Sequence, residues 1–310
     1  MSISRNAFLW ASTNVWMRER AMKTGFVRRS VVKFMPGEHL EDALGAANTL
    51  KPTGINTILT RLGENLARIE EAKDIFDHYL RVIDQVKAAG LDAQVSVKPT
   101  QLGFDQNPEV CFQYLVKLAD HAIAAHNFLW LDMESSKYVD GTIALYKRLR
   151  ERTPKVGIAI QAYLYRTEKD IEELAALGSA IRLVKGAYME SPSIAYPKKS
   201  DVDENYFKLA SRLLQPDADQ PGALLHIATH DVSLQQRLQR VITERKIRKD
   251  RYEFAMLYGI NSQRQRDLAK AGEQIRCLIS YGEYWFPWYM RRLAERPANV
   301  GFVIKNLFAR

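Results

Sequence analysis

The stretch VGIAIQAYLYRTEKDIEELAALGSAIRLVKGAY (156–188) contains one complete strand–helix–strand unit. Its two ends, VGIAIQAY (156–163) and AIRLVKGAY (180–188), are short apolar runs of the kind that form buried strands. Between them, residues 168–177 carry apolar side chains at helical spacing. This order predicts two parallel strands, because strands can run parallel only if a long connection, usually a helix, joins them.

The same alternation extends along most of the chain. Eight apolar runs, each followed by a helical segment, predict a closed (β/α)8 barrel. The runs are NTILTRLG (56–63), DAQVSVKP (92–99), FLWLDME (128–134), VGIAIQAY (156–163), AIRLVKGAY (180–188), LLHIATH (224–230), YEFAMLYG (252–259) and IRCLISYG (275–282). The helical segments are 64–89, 109–126, 141–152, 168–177, 203–214, 232–245 and 262–272, and a last helix follows Gly282. A doubly wound open sheet is the alternative, but the sequence lacks the G-x-G-x-x-G turn that would favour it.

Residues 1–50 fall outside this alternation and indicate a separate N-terminal helical segment, clearest in PGEHLEDALGAANTL (36–50). Residues 51–310 are expected to form the barrel and to carry the catalytic site. A total of 310 residues is near the size of one α/β barrel with a short additional segment. We therefore predict one barrel domain preceded by a helical extension.

The composition is that of an ordinary globular protein, with 46% hydrophobic and 26% charged residues. No apolar run is long enough to cross a bilayer or to serve as a secretory signal. The two cysteines, Cys111 and Cys277, do not indicate a disulfide framework. These features predict a reduced, cytoplasmic environment.

The formal net charge is +9, and part of it lies near the start of the chain. Six basic residues precede residue 30, against the single acid Glu19, with Phe8, Trp10 and Trp16 between them. The basic residues are Arg5, Arg18, Arg20, Lys23, Arg28 and Arg29. Such a stretch would suit an anionic membrane surface or a nucleic acid. The simpler interpretation, which we favour, is an amphipathic helix packed on the domain with its charged face in water.

In a β/α barrel the active site lies at the C-terminal ends of the strands. Polar and pocket-forming residues end or follow seven of the predicted strands: Arg61, Glu64, Lys98, Asp132, Glu134, Gln161, Arg182, Lys185, Tyr188, Thr229, His230, Asp231, Leu257 and Tyr258. Buried cations require partners, so a structural ion pair such as Lys98 with Asp132 is an alternative for any one of them. For the whole set, a functional site at this end of the barrel is the stronger interpretation.

The last helix, EYWFPWYMRRLAERP (283–297), places Trp288 on the same face as Arg291 and Arg292. Two guanidinium groups beside an aromatic ring suit a carboxylate attached to a small apolar body. A basic surface helix is the alternative. The sequence shows no metal-ligand spacing, no nucleophile triad and no phosphate loop. The residues alone thus predict a barrel enzyme with a cationic, aromatic pocket for a small carboxylate.

Eight segments, in order, carry a family resemblance: RLGEN (61–65), VSVKPTQLG (95–103), LDMES (131–135), IQAY (160–163), IRLVKGAYMES (181–191), ATHD (228–231), YEFAMLYGI (252–260) and YMRRLAERPANV (289–300). With them the chain resembles the monofunctional bacterial proline dehydrogenases and the matching domain of bifunctional proline-catabolic flavoproteins. The resemblance implies a distorted (β/α)8 TIM-like barrel that binds FAD noncovalently. It also implies oxidation of L-proline to Δ1-pyrroline-5-carboxylate by hydride transfer to flavin N5, with electrons passed to a membrane quinone.

The resemblance also implies a role for individual residues. Arg182 would lie near flavin N5 and Gln161 near the isoalloxazine ring, and Lys185, Thr229 and His230 would line the FAD site. The substrate carboxylate would be held by Lys98, Arg291 and Arg292, and the ring pocket lined by Asp132, Tyr188, Leu257 and Trp288. Glu64 would be the acid that pairs with Arg291 when the site closes.

Two positions depart from the family pattern: Leu278 stands where a tyrosine usually packs against the substrate ring, and Trp288 stands where we expect a tyrosine. Loss of a phenol makes hydroxyproline or another cyclic secondary amino acid a second candidate substrate, because such changes alter discrimination by roughly 1–3 kcal/mol. A neutral replacement, with proline still preferred, is the simpler expectation. A third candidate function is a non-catalytic basic binding protein on a barrel scaffold. No nucleic-acid partner is expected.

Overall fold

We analysed the chain as a computed structural model, which describes residues 31–63, 66 and 68–295. The basic and aromatic stretch at 1–30 and the predicted gate residue Glu64 lie outside this part of the chain. Within it, no helix is both long and apolar enough to cross a membrane.

Eight parallel strands close into a barrel in which each strand pairs with the next and the last pairs with the first. The strands are Asn56–Arg61 (β1), Ala93–Val97 (β2), Leu129–Leu131 (β3), Val156–Gln161 (β4), Ala180–Val184 (β5), Leu224–Ala228 (β6), Tyr252–Leu257 (β7) and Ile275–Tyr281 (β8). The predicted barrel is confirmed. The open-sheet alternative fails because β1 and β8 pair along six residues, from Asn56 with Arg276 to Arg61 with Tyr281.

The helices are Leu40–Leu50 (α1), Glu70–Ala88 (α2), Pro108–Ala124 (α3), Val139–Arg150 (α4), Thr167–Ala176 (α5), Lys199–Leu213 (α6), Val232–Glu244 (α7), Ser262–Lys270 (α8) and Trp285–Glu295 (α9). Most bounds lie within a few residues of the predicted ones. The exception is α2, which was predicted from residue 64 and begins at Glu70. There, Glu70 and Glu71 place two carboxylates in the first turn, where they oppose the positive end of the helix dipole.

The first and last of these helices occupy unexpected places. The buried face of α1 (Leu40, Ala43, Ala46 and Ala47) belongs to the main apolar core and packs beside β8 and β1, in the outer ring of helices. The helix that follows β8, α9, instead belongs to a second cluster together with Leu62, the residue after β1, and Ile260, three residues after the end of β7. We call this second set the roof cluster: Val31, Phe34, Met35, Leu62, Ile260, Trp285, Phe286, Trp288, Tyr289, Met290 and Leu293. Thus α9 covers the C-terminal end of the barrel, where the site is expected.

The barrel interior contains a buried ionic group near the N-terminal ends of the strands. Arg276 on β8 donates to Glu253 on β7 (Nε to Oε2, 2.6 Å) and to Asp92 before β2 (Nη1 to Oδ1, 2.7 Å). His226 on β6 places Nε2 3.1 Å from the same Glu253 oxygen. Burial alone would raise the pKa of Glu253, but its contacts with His226 and Arg276 lower it to about 2. The carboxylate therefore stays ionised, which stabilises the buried arginine.

Candidate active site

Asp132 is the centre of a polar cluster at the C-terminal end of the barrel. Its carboxylate accepts hydrogen bonds from Ser96 Oγ (2.8 Å), from Thr60 Oγ1 (3.4 Å) and from Arg182 Nη2, and Lys98 Nζ lies 3.7 Å away. The three predicted site residues Lys98, Asp132 and Arg182 are therefore brought together. Because two cations face one carboxylate, the cluster keeps one positive charge, which would attract an anionic substrate group.

Arg182 is the most deeply placed of these charges, with only 3% of its surface exposed. Its Nη2 donates to Ser96 Oγ at 2.9 Å and to Asp132. Its Nη1 is buried and has no hydrogen-bond partner among the residues that the structure describes. Burial lowers the pKa of Arg182 and Asp132 opposes this effect, so the guanidinium keeps its charge. One donor of a buried cation is thus available to a ligand.

Gln161, at the end of β4, offers the complementary group. Its amide nitrogen donates to the Glu134 carbonyl oxygen at 3.1 Å. Its Oε1 is buried and lacks a hydrogen-bond partner within residues 31–63, 66 and 68–295. The Glu134 side chain is itself fixed by Thr100, whose Oγ1 and backbone nitrogen donate to it at 2.5 and 3.2 Å. These bonds orient the loop that follows β3. Gln161 Oε1 remains available as an acceptor for a ligand.

The ends of β5 and β6 carry the next group of predicted residues. Lys185 Nζ donates to Asp203 Oδ1 (2.5 Å) and to Asp231 Oδ2 (3.0 Å). Burial would raise the pKa of Asp231, but the bond from Lys185 prevails and lowers it to about 2. Thr229 is buried, and its Oγ1 accepts from the Asp231 backbone nitrogen at 3.2 Å. The lysine is therefore held in place by two carboxylates.

His230 connects β6 with β7. Its Nε2 accepts the backbone N–H of Leu257 at 3.3 Å, which places the proton of a neutral ring on Nδ1. Leu257 in turn packs against the roof cluster. Thr229, His230 and Leu257 thus lie along the rim between β6 and β7, as their positions at strand ends predicted.

The roof contributes the aromatic and guanidinium groups predicted from the last helix. Arg291 Cζ lies 5.1 Å from the centre of the Tyr188 ring, so α9 reaches the loop after β5. Arg292 Cζ lies 5.7 Å from the ring of Trp288, which is buried. The two arginines, expected to share one aromatic, therefore rest on different rings. Contacts with Tyr188 and Trp288 position the two guanidinium groups at the end of the barrel that α9 covers. Both could therefore contact a ligand bound there.

Leu278 lies lower than the roof residues. It packs against a small apolar cluster inside the barrel that includes Ile58 and Trp130. The register pairs Leu278 with Ile58, one layer below the Ser280–Thr60 pair.

Four residues that the sequence did not single out belong to this end of the barrel or its interior: Thr60, Ser96, Trp130 and Ser280. Strand alternation was the available signal, since Thr60, Ser96 and Ser280 lie two positions from interior residues. Ser280 Oγ is buried and has no partner in the described part of the chain. In the same part, no group of three His, Cys, Asp or Glu side chains is placed to hold a metal ion.

Comparison with known proteins identifies the family. The family model described as proline dehydrogenase matches residues 43–305. Proline dehydrogenase 2 of Bacillus subtilis subsp. natto is 35% identical over 307 residues, covering 99% of both chains. Proline dehydrogenase of Deinococcus radiodurans is 34% identical over 280 residues and 89% of both chains.

A solved structure agrees at the level of the fold. Proline utilization A from Bdellovibrio bacteriovorus, inactivated by N-propargylglycine, matches 98% of this chain with a TM-score of 0.81 and 20% identity. This chain spans 39% of that longer protein. The barrel, the placement of its polar residues and the full-length similarity to curated relatives lead to one conclusion: the chain belongs to the proline dehydrogenase family.

Proposed function

We propose that the protein oxidises L-proline to Δ1-pyrroline-5-carboxylate with noncovalently bound FAD. The observation that carries this proposal is the pair of buried polar atoms, Arg182 Nη1 and Gln161 Oε1, that lack hydrogen-bond partners among the described residues. A buried donor and a buried acceptor cost free energy unless a ligand satisfies them. A flavin ring, whose edge offers both donors and acceptors, fits this requirement.

Arg182 and Gln161 would hold the flavin ring, and Lys185, Thr229 and His230 would line the remainder of the cofactor site. When bound, FAD would supply the oxidising power by accepting a hydride at N5 from the substrate carbon next to nitrogen. The protein contributes charge and orientation. A buried guanidinium beside the flavin would favour its reduced, anionic form, since opposite charges attract strongly where water is excluded.

The substrate carboxylate would be bound by Lys98, Arg291 and Arg292. Lys98 approaches from below, where Asp132 and the Arg61 carbonyl oxygen position its ammonium group. The arginines approach from the roof on Tyr188 and Trp288. Fixing the carboxylate from two sides would hold a small substrate in one orientation, which lowers the entropic part of the barrier. Glu64, outside the described residues, would pair with Arg291 on closure.

The substrate nitrogen must be neutral before its neighbouring carbon can lose a hydride. We therefore expect kcat/KM for proline to rise with pH through a group above neutrality. A rate profile measured between about pH 6 and 9 tests this expectation. A flat profile would contradict it.

The decisive experiment is anaerobic reduction of the purified protein by proline, followed by loss of flavin absorbance. Lys98→Met should raise the KM for proline about tenfold or more, because it removes a charge-assisted contact. Lys87→Met is the matched control, since Lys87 is exposed on α2 and outside the site; it should behave as wild type. A colourless protein that cannot take up FAD would overturn the proposal and favour a non-catalytic binding protein.

A second candidate substrate follows from Leu278. This aliphatic side chain lies inside the barrel where the family has a tyrosine, and the unpartnered Ser280 hydroxyl lies one layer above it. Because a phenol is replaced by an aliphatic side chain, hydroxyproline or another cyclic secondary amino acid is a second candidate substrate. It would be oxidised by the same chemistry. Reduction by proline, trans-4-hydroxyproline, pipecolate and sarcosine side by side distinguishes them. Leu278→Tyr should increase the preference for proline if this position sets it.

For the electron acceptor we propose a membrane quinone, reached by peripheral contact of a cytoplasmic enzyme. The support is the sequence of residues 1–30, where basic and aromatic residues alternate. Deletion of residues 1–30 should weaken binding to vesicles that contain anionic lipid and leave proline-dependent bleaching intact. Unchanged vesicle binding would refute this part of the proposal.

A further inference from the structure

A tryptophan lies beneath the buried arginine of the site. The Trp130 ring on β3 is fully buried inside the barrel, and Arg182 Cζ lies 5.2 Å from its centre. This separation is within the range of a cation–π interaction, for which tryptophan is the strongest aromatic partner. Asp132 and Ser96 bind only Nη2, so the guanidinium could still rotate about that nitrogen. Another contact must restrain this rotation. The indole ring lies where it can provide that restraint.

Trp130 is itself fixed by residues on three other strands, the two that pair with β3 and one beyond them. Its Nε1 donates to Gln94 Oε1 on β2 at 2.7 Å. On β4, a Cβ atom added to Gly157 would lie 2.5 Å from the ring, so the glycine provides the space that the indole occupies. On β6, the His226 ring centre lies 4.3 Å from that of Trp130. The indole therefore has one orientation, and it is a rigid support.

The histidine that packs on the same indole ring, His226, adds no repulsion. His226 is fully buried, and burial lowers its pKa, so the imidazole is neutral near pH 7. Its charged neighbours are Glu253, at 3.1 Å, Arg276, which Glu253 binds, and Arg182, its register partner on β5. The positive charge of Arg182 thus has a neutral imidazole, and no second cation, at its register partner on β6.

We propose that Trp130 is a positioning residue that holds the Arg182 guanidinium so that its unpartnered Nη1 points to the cofactor. The geometry requires this support because Nη1 is buried and has no hydrogen-bond partner in the described chain, so no bond of its own fixes its direction. The inference rests on the proposed function, in which Arg182 lies beside the flavin. A misdirected guanidinium would stabilise the reduced flavin less and slow its reduction.

Trp130→Leu, Trp130→Phe and Phe128→Leu test the proposal in the FAD-loaded protein. Phe128 is the matched control because it packs against Trp130 in the same interior cluster, at 5.1 Å between ring centres, and precedes β3 at the N-terminal end of the barrel. We expect Trp130→Leu to lower kcat about tenfold, leave the KM for proline within about twofold, and make the flavin midpoint potential more negative. Trp130→Phe should shift the potential in the same direction by less, since phenylalanine is the weaker partner of a cation.

Phe128→Leu should leave kcat and the potential unchanged. The proposal is overturned if Trp130→Leu keeps the wild-type potential, or if Phe128→Leu shifts it as much. Should Trp130→Leu not fold, Trp130→Phe decides alone, and an unchanged potential overturns the proposal. If wild type binds no flavin or is not bleached by proline, the proposed function fails instead, and that result is read before any variant is made.

Discussion

Removal of the Glu253 charge should destabilise the barrel strongly. Glu253 is 8% exposed and receives three close contacts, from Arg276 Nε (2.6 Å) and Nη2 (3.2 Å) and from His226 Nε2 (3.1 Å). Glu253→Gln keeps the shape but leaves Arg276 with Asp92, whose side chain is 56% exposed. Removing one partner of a buried ion pair costs about 3–5 kcal/mol. Because Asp92 still pairs with Arg276, we expect the lower end, about 3 kcal/mol, or about 6 °C in Tm.

Urea unfolding followed by far-ultraviolet circular dichroism measures this change in the free energy of unfolding. Glu173→Gln is the control, because its ion pair with Lys147 is exposed and its loss should leave the midpoint unchanged. The double variant Glu253→Gln with Arg276→Met should recover part of the loss, since an apolar replacement removes the uncompensated buried charge. A loss below about 1 kcal/mol in Glu253→Gln would refute the reasoning.

Three further predictions concern stability. Burial lowers the pKa of His78 to about 4, so the unfolded chain binds more protons than the folded protein between there and 6.5, and stability falls as pH drops through that window. His78→Gln should remove roughly 1–2 kcal/mol of that fall in urea titrations at pH 7 and 4.5, a value discounted for partial exposure. Gly157→Ala should cost about 1–3 kcal/mol, because the new methyl meets the Trp130 ring, whereas Gly45→Ala, in α1 with nothing within 4 Å, should be neutral or stabilising; equal midpoints would contradict this. Asn107→Ala should lower stability by about 1 kcal/mol in thermal unfolding, because Asn107 caps α3.

Much of the fold was predictable because its signal is local. Each strand run and each helical segment shows its own period, and the count of eight follows from reading them in order. The cluster of Lys98, Asp132 and Arg182 was predictable for a related reason. All three lie at or near strand ends, and closure of a parallel barrel brings such ends together.

The places of α1 and α9 were not predictable in the same way. Both helices have an apolar face, which predicts that the helix packs against something. It does not predict which part of the barrel the helix covers. The contact of Trp130 with Arg182 has a similar origin, since it joins β3 to β5 across the barrel and not between paired strands. In FLWLDME (128–134) the tryptophan has the pattern of any core residue. Its contact with Arg182 arises only when the strands curve and close into a barrel.

The separation of the roof cluster from the main core has a consequence for exchange with solvent. The α9 side chains pack on one another and on short segments around Val31, Leu62 and Ile260, whereas the barrel and its outer helices share the larger core. Because the roof cluster is separate from the cores of the barrel, we expect it to form its own cooperative unit, and this smaller unit should open at the lower free energy. Backbone amides of Trp285–Glu295 should thus exchange with deuterium long before those of the strands. A ligand could then enter and leave through a local opening of α9, while the backbone amides of the barrel strands stay protected from exchange.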